Sequence, residues 1–275
     1  MSAFDFPLYR QTAIVTGAAG FFGKHFARAL ADAGATVLAL DERAEALALL
    51  CAEITALHAI GRAIAVPIDL YDEPAARMAL HALNQKHAIT VLINNAFDFS
   101  PKTGFNVPEG RLESATRSQF EACFSAGVYW AFLTTQIIGS AMAKRGGGSV
   151  VNIGTMYADA VPNPSLYEGT EQFNPWGYSA SKGALLQFTK YSAAWLAPKV
   201  RVNMLSPGAI PNTENPTDNR PDSRVSDRLM KKILLGRMGT PNDLVSPLLF
   251  LASDASRYMT GQNLHVDGGI TVTVT

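Results

Sequence analysis

The chain has little of what would mark a secreted, metal-bound, membrane-embedded or nucleic-acid-binding protein. Its 275 residues include two cysteines, Cys51 and Cys123, in separate helix-like segments. No disulfide framework is therefore expected, and a reducing, cytoplasmic compartment suits the chain. His25, His58, His81, His87 and His265 show no ligand spacing and there is no CxxC, so no metal is expected. Lys plus Arg equals Asp plus Glu at 23 each, which leaves no global field to recruit nucleic acid or an anionic membrane. The pair Lys231–Lys232 reads as a solvated helix face. No run of 18 or more apolar residues occurs, which argues against a membrane span. The opening MSAFDFPLYRQ lacks a basic segment followed by an apolar one, so a signal peptide is not expected.

What is abundant is apolar surface, at 48% hydrophobic and 17% charged residues, enough for a sizeable core. Short β-rich runs at 12–16, 36–40, 63–67, 90–95, 149–154, 200–205 and 263–267 alternate with longer Ala/Leu-rich segments. Repeated alternation of this kind predicts an α/β fold: one doubly wound parallel sheet of about seven strands with helices on both faces. Neither an internal repeat nor a linker divides the chain, so residues 1–275 read as one domain. Right-handed crossovers make the carboxyl ends of the strands the ligand-binding rim. Three Pro-, Gly- or polar-rich stretches follow strands, at 97–114, 158–177 and 209–235, and are expected to wall a substrate. The most polar part of the third is 211–223.

The first strand runs into TGAAGFFG (16–23) and then into a helix, the context that a dinucleotide-binding turn requires. Gly17 suits the tight turn, Gly20 the approach of backbone amides to a pyrophosphate, and Gly23 close packing of the helix. The helix N-terminus would face the phosphates, with Phe22 beside them. Three glycines serving turns and packing alone is the plainer reading. GGGS at 146–149 has as much glycine but leads into a strand, so it reads as a turn. Asp41 ends the second strand, where a carboxylate accepts from the adenosine ribose hydroxyls and repels a 2′-phosphate. That favours NAD over NADP, and Arg43 nearby works against the preference. Asp69 with Leu70, at the end of the third strand, is placed either to meet the adenine edge or to cap the strand.

YSASK (178–182) sets Tyr178 and Lys182 one helical turn apart, a pairing too common to mean anything alone. The glycine turn, INNA (93–96), VNIGT (151–155), YSASK, RVNMLSPG (201–208) and GQNLHVDGG (261–269) occur in one order and spacing. In that arrangement the chain resembles the short-chain dehydrogenase/reductase family of the classical type, over about residues 10 to 270. The resemblance implies a Rossmann-type domain binding NAD, and hydride transfer between nicotinamide and a secondary alcohol or ketone. It implies Tyr178 as general acid/base, Lys182 lowering the phenol's pKa and holding the nicotinamide ribose, and Thr155 bonding the substrate oxygen where serine is usual. Asn94, Asn95 and Ala96 would border the adenosine and ribose, and Pro207, Gly208 and Ile210 the nicotinamide. A small-molecule substrate and a homo-oligomer, tetramer or dimer, are implied as well. The helices near 117–144 and 178–197 would form the subunit interface.

Four departures from the family pattern stand out. GFFG in the turn resembles the extended branch, which keeps open an NAD-recycling sugar epimerase or dehydratase. Phe97 stands where glycine is usual. Gly127 takes the place of a catalytic asparagine, which keeps open a weakly catalytic nucleotide-binding protein. An insertion between Thr155 and Tyr178 is expected to bring Tyr167, Glu168, Phe173, Asn174 and Trp176 toward the substrate. Aromatic rings beside amide and carboxylate groups suit a sugar or sugar derivative. The alternative is that these aromatics only anchor the loop.

Overall fold

The computed structural model describes residues 6–57, 61–214 and 222–272; His58 and most of the 211–223 stretch lie outside them. Strands and helices alternate along the chain: β1 (Thr12–Thr16), α1 (Phe21–Asp32), β2 (Thr36–Asp41), α2 (Ala44–Leu57), β3 (Arg62–Pro67), α3 (Glu73–Lys86) and β4 (Ile89–Asn94). A long helix α4 (Arg117–Arg145) follows. Then come β5 (Gly148–Ile153), α5 (Trp176–Leu196), β6 (Val200–Pro207), α6 (Ser223–Met230), α7 (Pro241–Ala252) and β7 (Asn263–Val266). Each strand lies where a β-rich run stands in the sequence.

The strands form one seven-stranded sheet in the order β3-β2-β1-β4-β5-β6-β7, every pair parallel. Period-2 alternation sends successive side chains to opposite faces, and both faces are covered. Ala13, Val15, Val37, Ala39, Val91 and Ile93 join one core with Phe26, Leu30, Leu47, Leu248 and Leu251. The residues between them, Ile14, Leu38 and Leu92, join the other with Leu80, Trp130, Leu133 and Ile138. The order reverses between β1 and β4, and at such a switch point the loops diverge to opposite faces and leave a crevice.

Helix α4 would suit a membrane by length and composition, yet most of its apolar window is buried within the protein. Two π turns interrupt it, at Ser125–Tyr129 and Thr135–Gly139. The second begins at a residue that binds the core: Asn94 Nδ2 donates to Thr135 Oγ1 at 3.2 Å and to Asn152 Oδ1 at 2.8 Å, and Thr134 Oγ1 donates to Asn94 Oδ1 at 2.6 Å. Asn152 Nδ2 donates in turn to Thr189 Oγ1 at 2.8 Å. This buried network joins β4, β5, α4 and α5, and each member satisfies a group that would otherwise be stranded in the core.

Candidate active site

The turn after β1 is shaped by close backbone packing, with the Asp41 and Asn95 side chains bonded to it. Gly17 has φ +62°, the left-handed region that favours glycine. A Cβ at Gly17 would lie 2.9 Å from the Ala96 Cα, and one at Gly23 only 2.0 Å from the Gly17 carbonyl oxygen. Gly23 therefore lets α1 press on the turn itself. Gly20 is the N-cap of α1 and supplies no side-chain bond, whereas α3, α4 and α6 begin on Asp72, Thr116 and Asp222 side-chain caps. The open amides of α1 and the glycine cradle fit a phosphate group. Asn95 closes the far side, its Nδ2 donating to the Thr16 and Gly17 carbonyls at 3.0 and 3.1 Å. The Asn95 and Ala96 amides both donate to Thr16 Oγ1. Phe22 packs toward the core beside Phe26, at 6.0 Å between ring centroids. Asn94 is not at the rim: it belongs to the buried network, and this corrects its assignment to the adenosine.

Asp41 is buried at the end of β2. Its Oδ2 accepts from the Ala19 amide at 2.9 Å and from Arg43 Nη2 at 3.0 Å, and its Oδ1 accepts from Arg43 Nε at 2.9 Å. Both oxygens are thus already engaged and the charge is paired. The half-exposed Arg43 guanidinium lies over the turn, 3.7 Å from where a Gly20 Cβ would be. The nearby Arg43 that the sequence sets against an NAD preference is thus bonded to the carboxylate itself. Asp69 is exposed and accepts from the Tyr71 amide at 2.8 Å, while Leu70 is buried. On the other side, Gly208 is required by close packing, since a Cβ there would meet the Asp267 Cα at 2.5 Å. Pro207 ends β6, and Ile210 packs on the core next to Gly239.

Thr155 is buried just beyond β5, and its side chain is hydrogen-bonded to the Tyr178 phenol. Lys182, one turn farther along α5, is buried, and its Nζ donates to the Ile153 carbonyl at 2.8 Å. The fold therefore gathers the three residues at the ends of β5 and α5. Burial dominates their protonation. It pushes the Tyr178 phenol up to about 12, against the Thr155 bond that lowers it. It also pulls the Lys182 ammonium down to about 7. Desolvation acts against both charged forms, and the Lys182 ammonium is turned to the Ile153 carbonyl.

Gly127 lies in the first π turn of α4. A Cβ there would come within 2.1 Å of Ser181 Oγ and 2.4 Å of Ser181 Cβ. Ser181 precedes Lys182, so α4 approaches the catalytic stretch of α5 too closely for any side chain at position 127.

The loops after β4 and β5 supply the surroundings of the phenol. Phe97, Phe105 and Phe99 lie 5.0, 5.5 and 5.9 Å from the Tyr178 ring, centroid to centroid. Phe97 also lies under the Lys182 ammonium at 5.2 Å. It leans on the catalytic pair without separating Thr155 from Tyr178. Of the inserted residues, Tyr167 is hydrogen-bonded to Tyr157, a phenol that lies near enough to Tyr178 to disfavour its ionisation. Trp176 instead lies on Phe120 at 5.4 Å, and Phe173 under the Arg111 guanidinium at 4.7 Å. For these two the anchoring reading fits better than contact with substrate. The Asn174 Oδ1 is buried without a partner. Glu168 is exposed, and its carbonyl and that of Leu166 accept from Arg228 Nη1 at 2.7 and 2.9 Å. Asp222 N donates to Gln172 Oε1 at 2.7 Å, so α6 is stitched to the inserted loop. Sequence reasoning missed Phe99, Phe105 and Tyr157. The available signals were FDF at 97–99 and a tyrosine two residues after Thr155.

Comparison with known proteins places the chain. The family model described as enoyl-(acyl carrier protein) reductase matches residues 17–271. Galactitol 2-dehydrogenase (L-tagatose-forming) of Cereibacter sphaeroides is 34% identical over 272 residues, 97% of each chain. A solved short-chain type dehydrogenase/reductase from Mycobacterium marinum has a TM-score of 0.83 at 30% identity, covering 98% of each chain. The gluconate 5-dehydrogenase of Burkholderia cenocepacia J2315, in complex with NADP and tartrate, has a TM-score of 0.82 at 27% identity, covering 100% of each chain.

Proposed function

The chain belongs to the short-chain dehydrogenase/reductase family, and on that premise we propose that it oxidises a secondary alcohol of a sugar or sugar derivative to the ketone, or performs the reverse. It is a pyridine-nucleotide-dependent oxidoreductase. The observation that carries the assignment to these residues is the Thr155–Tyr178 hydrogen bond one turn from Lys182, beside the glycine turn.

The glycine turn with Gly17, Gly20 and Gly23, the first turn of α1, Asp41, Asn95, Ala96, Lys182, Pro207, Gly208 and Ile210 would hold the dinucleotide. The bound nicotinamide supplies hydride exchange with the substrate carbon. Thr155 holds the substrate oxygen next to the Tyr178 phenol. With its pKa raised, that phenol stands protonated at neutral pH, ready to give its proton to a carbonyl. In the direction of alcohol oxidation it must first lose that proton. The Phe97, Phe99 and Phe105 rings keep water from one side of it.

The Asp41 carboxylate supports NAD as the preferred cofactor, and the Arg43 guanidinium supports use of NADP as well. A homo-oligomer, tetramer or dimer, is supported by the apolar faces of α4 and α5. Phe120, Phe132, Tyr191 and Trp195 are all exposed there. A groove of about 490 Å³ runs between Phe120, Phe124, Val128, Phe132 and Phe188. Two free, buried cysteines suit a cytoplasmic site of action.

Replacement Tyr178→Phe tests the reading. Turnover of NAD with sugar alcohols should fall by about 10²–10⁴-fold, the usual worth of a positioned acid/base, with cofactor affinity nearly unchanged. Unchanged turnover would overturn the assignment.

A further inference from the structure

The Tyr178 phenol has two unlike kinds of neighbour, phenyl rings and hydroxyl groups. The rings are Phe97, Phe99 and Phe105, themselves packed at 4.7, 5.1 and 6.0 Å between centroids, all three against the Tyr178 ring. Among the described contacts these rings offer no side-chain hydrogen-bonding group toward the phenol. The polar neighbours of the same phenol are Thr155 and Tyr157, and Tyr157 is bonded to Tyr167. Two phenols bonded to each other still have a proton and lone pairs to offer a ligand. The loops bearing these neighbours are not loose. Asp98, between Phe97 and Phe99, accepts from Tyr71 Oη at 2.7 Å and from the Ser100 amide at 2.8 Å. The Tyr167 segment is held by Arg228.

We propose that the substrate is a cyclic polyol or ring-form sugar. One C–H-rich face would lie on Phe99 and Phe105, and the hydroxyls elsewhere on the ring would meet the Tyr157–Tyr167 pair. The inference rests on the oxidoreductase reading above and narrows its substrate class. An open-chain polyol carries hydroxyls around its whole backbone. Against three phenylalanines, some of those hydroxyls lose water and gain no partner, at a cost of about tenfold in affinity for each. A six-membered ring can gather C–H bonds on one face and hydroxyls at the edge and the other face. That pattern is complementary to a reacting centre bordered by phenyl rings and by phenols.

The test measures kcat/KM for NAD and NADP reduction with a cyclitol (myo-inositol), several pyranoses and the matching open-chain hexitols. The best ring substrate should exceed the best hexitol by about tenfold or more. In Phe99→Ser, at a half-exposed position where folding should survive, that ratio should collapse toward one. Phe99→Leu, which keeps an apolar surface, should retain most of it. Tyr157→Phe should raise KM for ring substrates severalfold with little change in kcat. Hexitols turned over as well as rings, or a ratio unmoved by Phe99→Ser, would overturn the ring preference and leave the oxidoreductase reading standing. Tight NAD binding with no turnover of any polyol would overturn both.

Discussion

The turn after β1 and the loops after β4 and β5 lie on one rim of the sheet, but different kinds of atom hold them in place. Residues 17–23 are fixed chiefly by backbone against backbone. Gly17 abuts Ala96, Gly23 abuts the Gly17 carbonyl, and the Ala18 amide donates to the Leu40 carbonyl. The loops at 97–114 and 158–177 are fixed by side chains: rings on rings, an arginine on two carbonyls, a glutamine on an amide. A backbone-built site leaves a signature of few residue types at fixed spacing, because only glycine fits. A site built from side chains admits many solutions, and its sequence reveals composition but not partners.

Four substitutions sharpen the contrast, taken from the largest expected effect downward. Gly23→Ala places a methyl 2.0 Å from a carbonyl that cannot move without opening the turn. It should cost ~3 kcal/mol in denaturant unfolding and cut cofactor affinity steeply; a stable variant with normal affinity would show the turn to be more yielding than its contacts imply.

Lys182→Met should do the opposite to stability while abolishing turnover. The buried ammonium is held near 7 against an ordinary value of 10.5, so at neutral pH its removal should stabilise the fold by on the order of 2–4 kcal/mol. The sign follows from proton binding: between about pH 7 and 10.5 the unfolded lysine holds a proton that the folded one has lost. Wild-type stability therefore rises with pH across that window, and the gap to Lys182→Met should narrow. Melting curves at several pH values check this, and a variant that melts lower throughout would mean the bond to Ile153 outweighs desolvation.

Gly127→Ala should destabilise by ~1–3 kcal/mol through the clash with Ser181, and Ser181→Gly should restore much of the loss. If Ser181→Gly gives no rescue, the close approach of α4 and α5 does not account for the glycine. The smallest effect is expected at Arg43→Ala, which should lower kcat/KM with NADP relative to NAD by roughly tenfold, one lost phosphate contact. An unchanged ratio would place the guanidinium in service of Asp41 alone.

Gly127 shows how a departure from a family pattern can have a packing reason that the sequence does not display. From the sequence, Gly127 argues against ordinary catalysis. In the fold it marks where two helices touch, and Thr155, Tyr178 and Lys182 still converge. Asn94 errs the other way, since it stands inside a cofactor-like motif yet serves the core between β4, β5, α4 and α5. In the inserted loop, Trp176 and Tyr167 look alike as aromatic candidates. Tyr167 bonds Tyr157 while Trp176 lies on Phe120, a division that no local pattern encodes.

Sequence alone determined the alternation of strands and helices, the glycine turn and the order of the catalytic residues, because each follows from short-range rules of periodicity, left-handed backbone and helical spacing. Tertiary structure alone decided the pairing of Asp41 with Arg43, the burial that drives Tyr178 and Lys182 in opposite directions, and the packing of three phenylalanines on the Tyr178 ring. Those depend on distances between segments far apart in the chain, and on how completely their packing removes water.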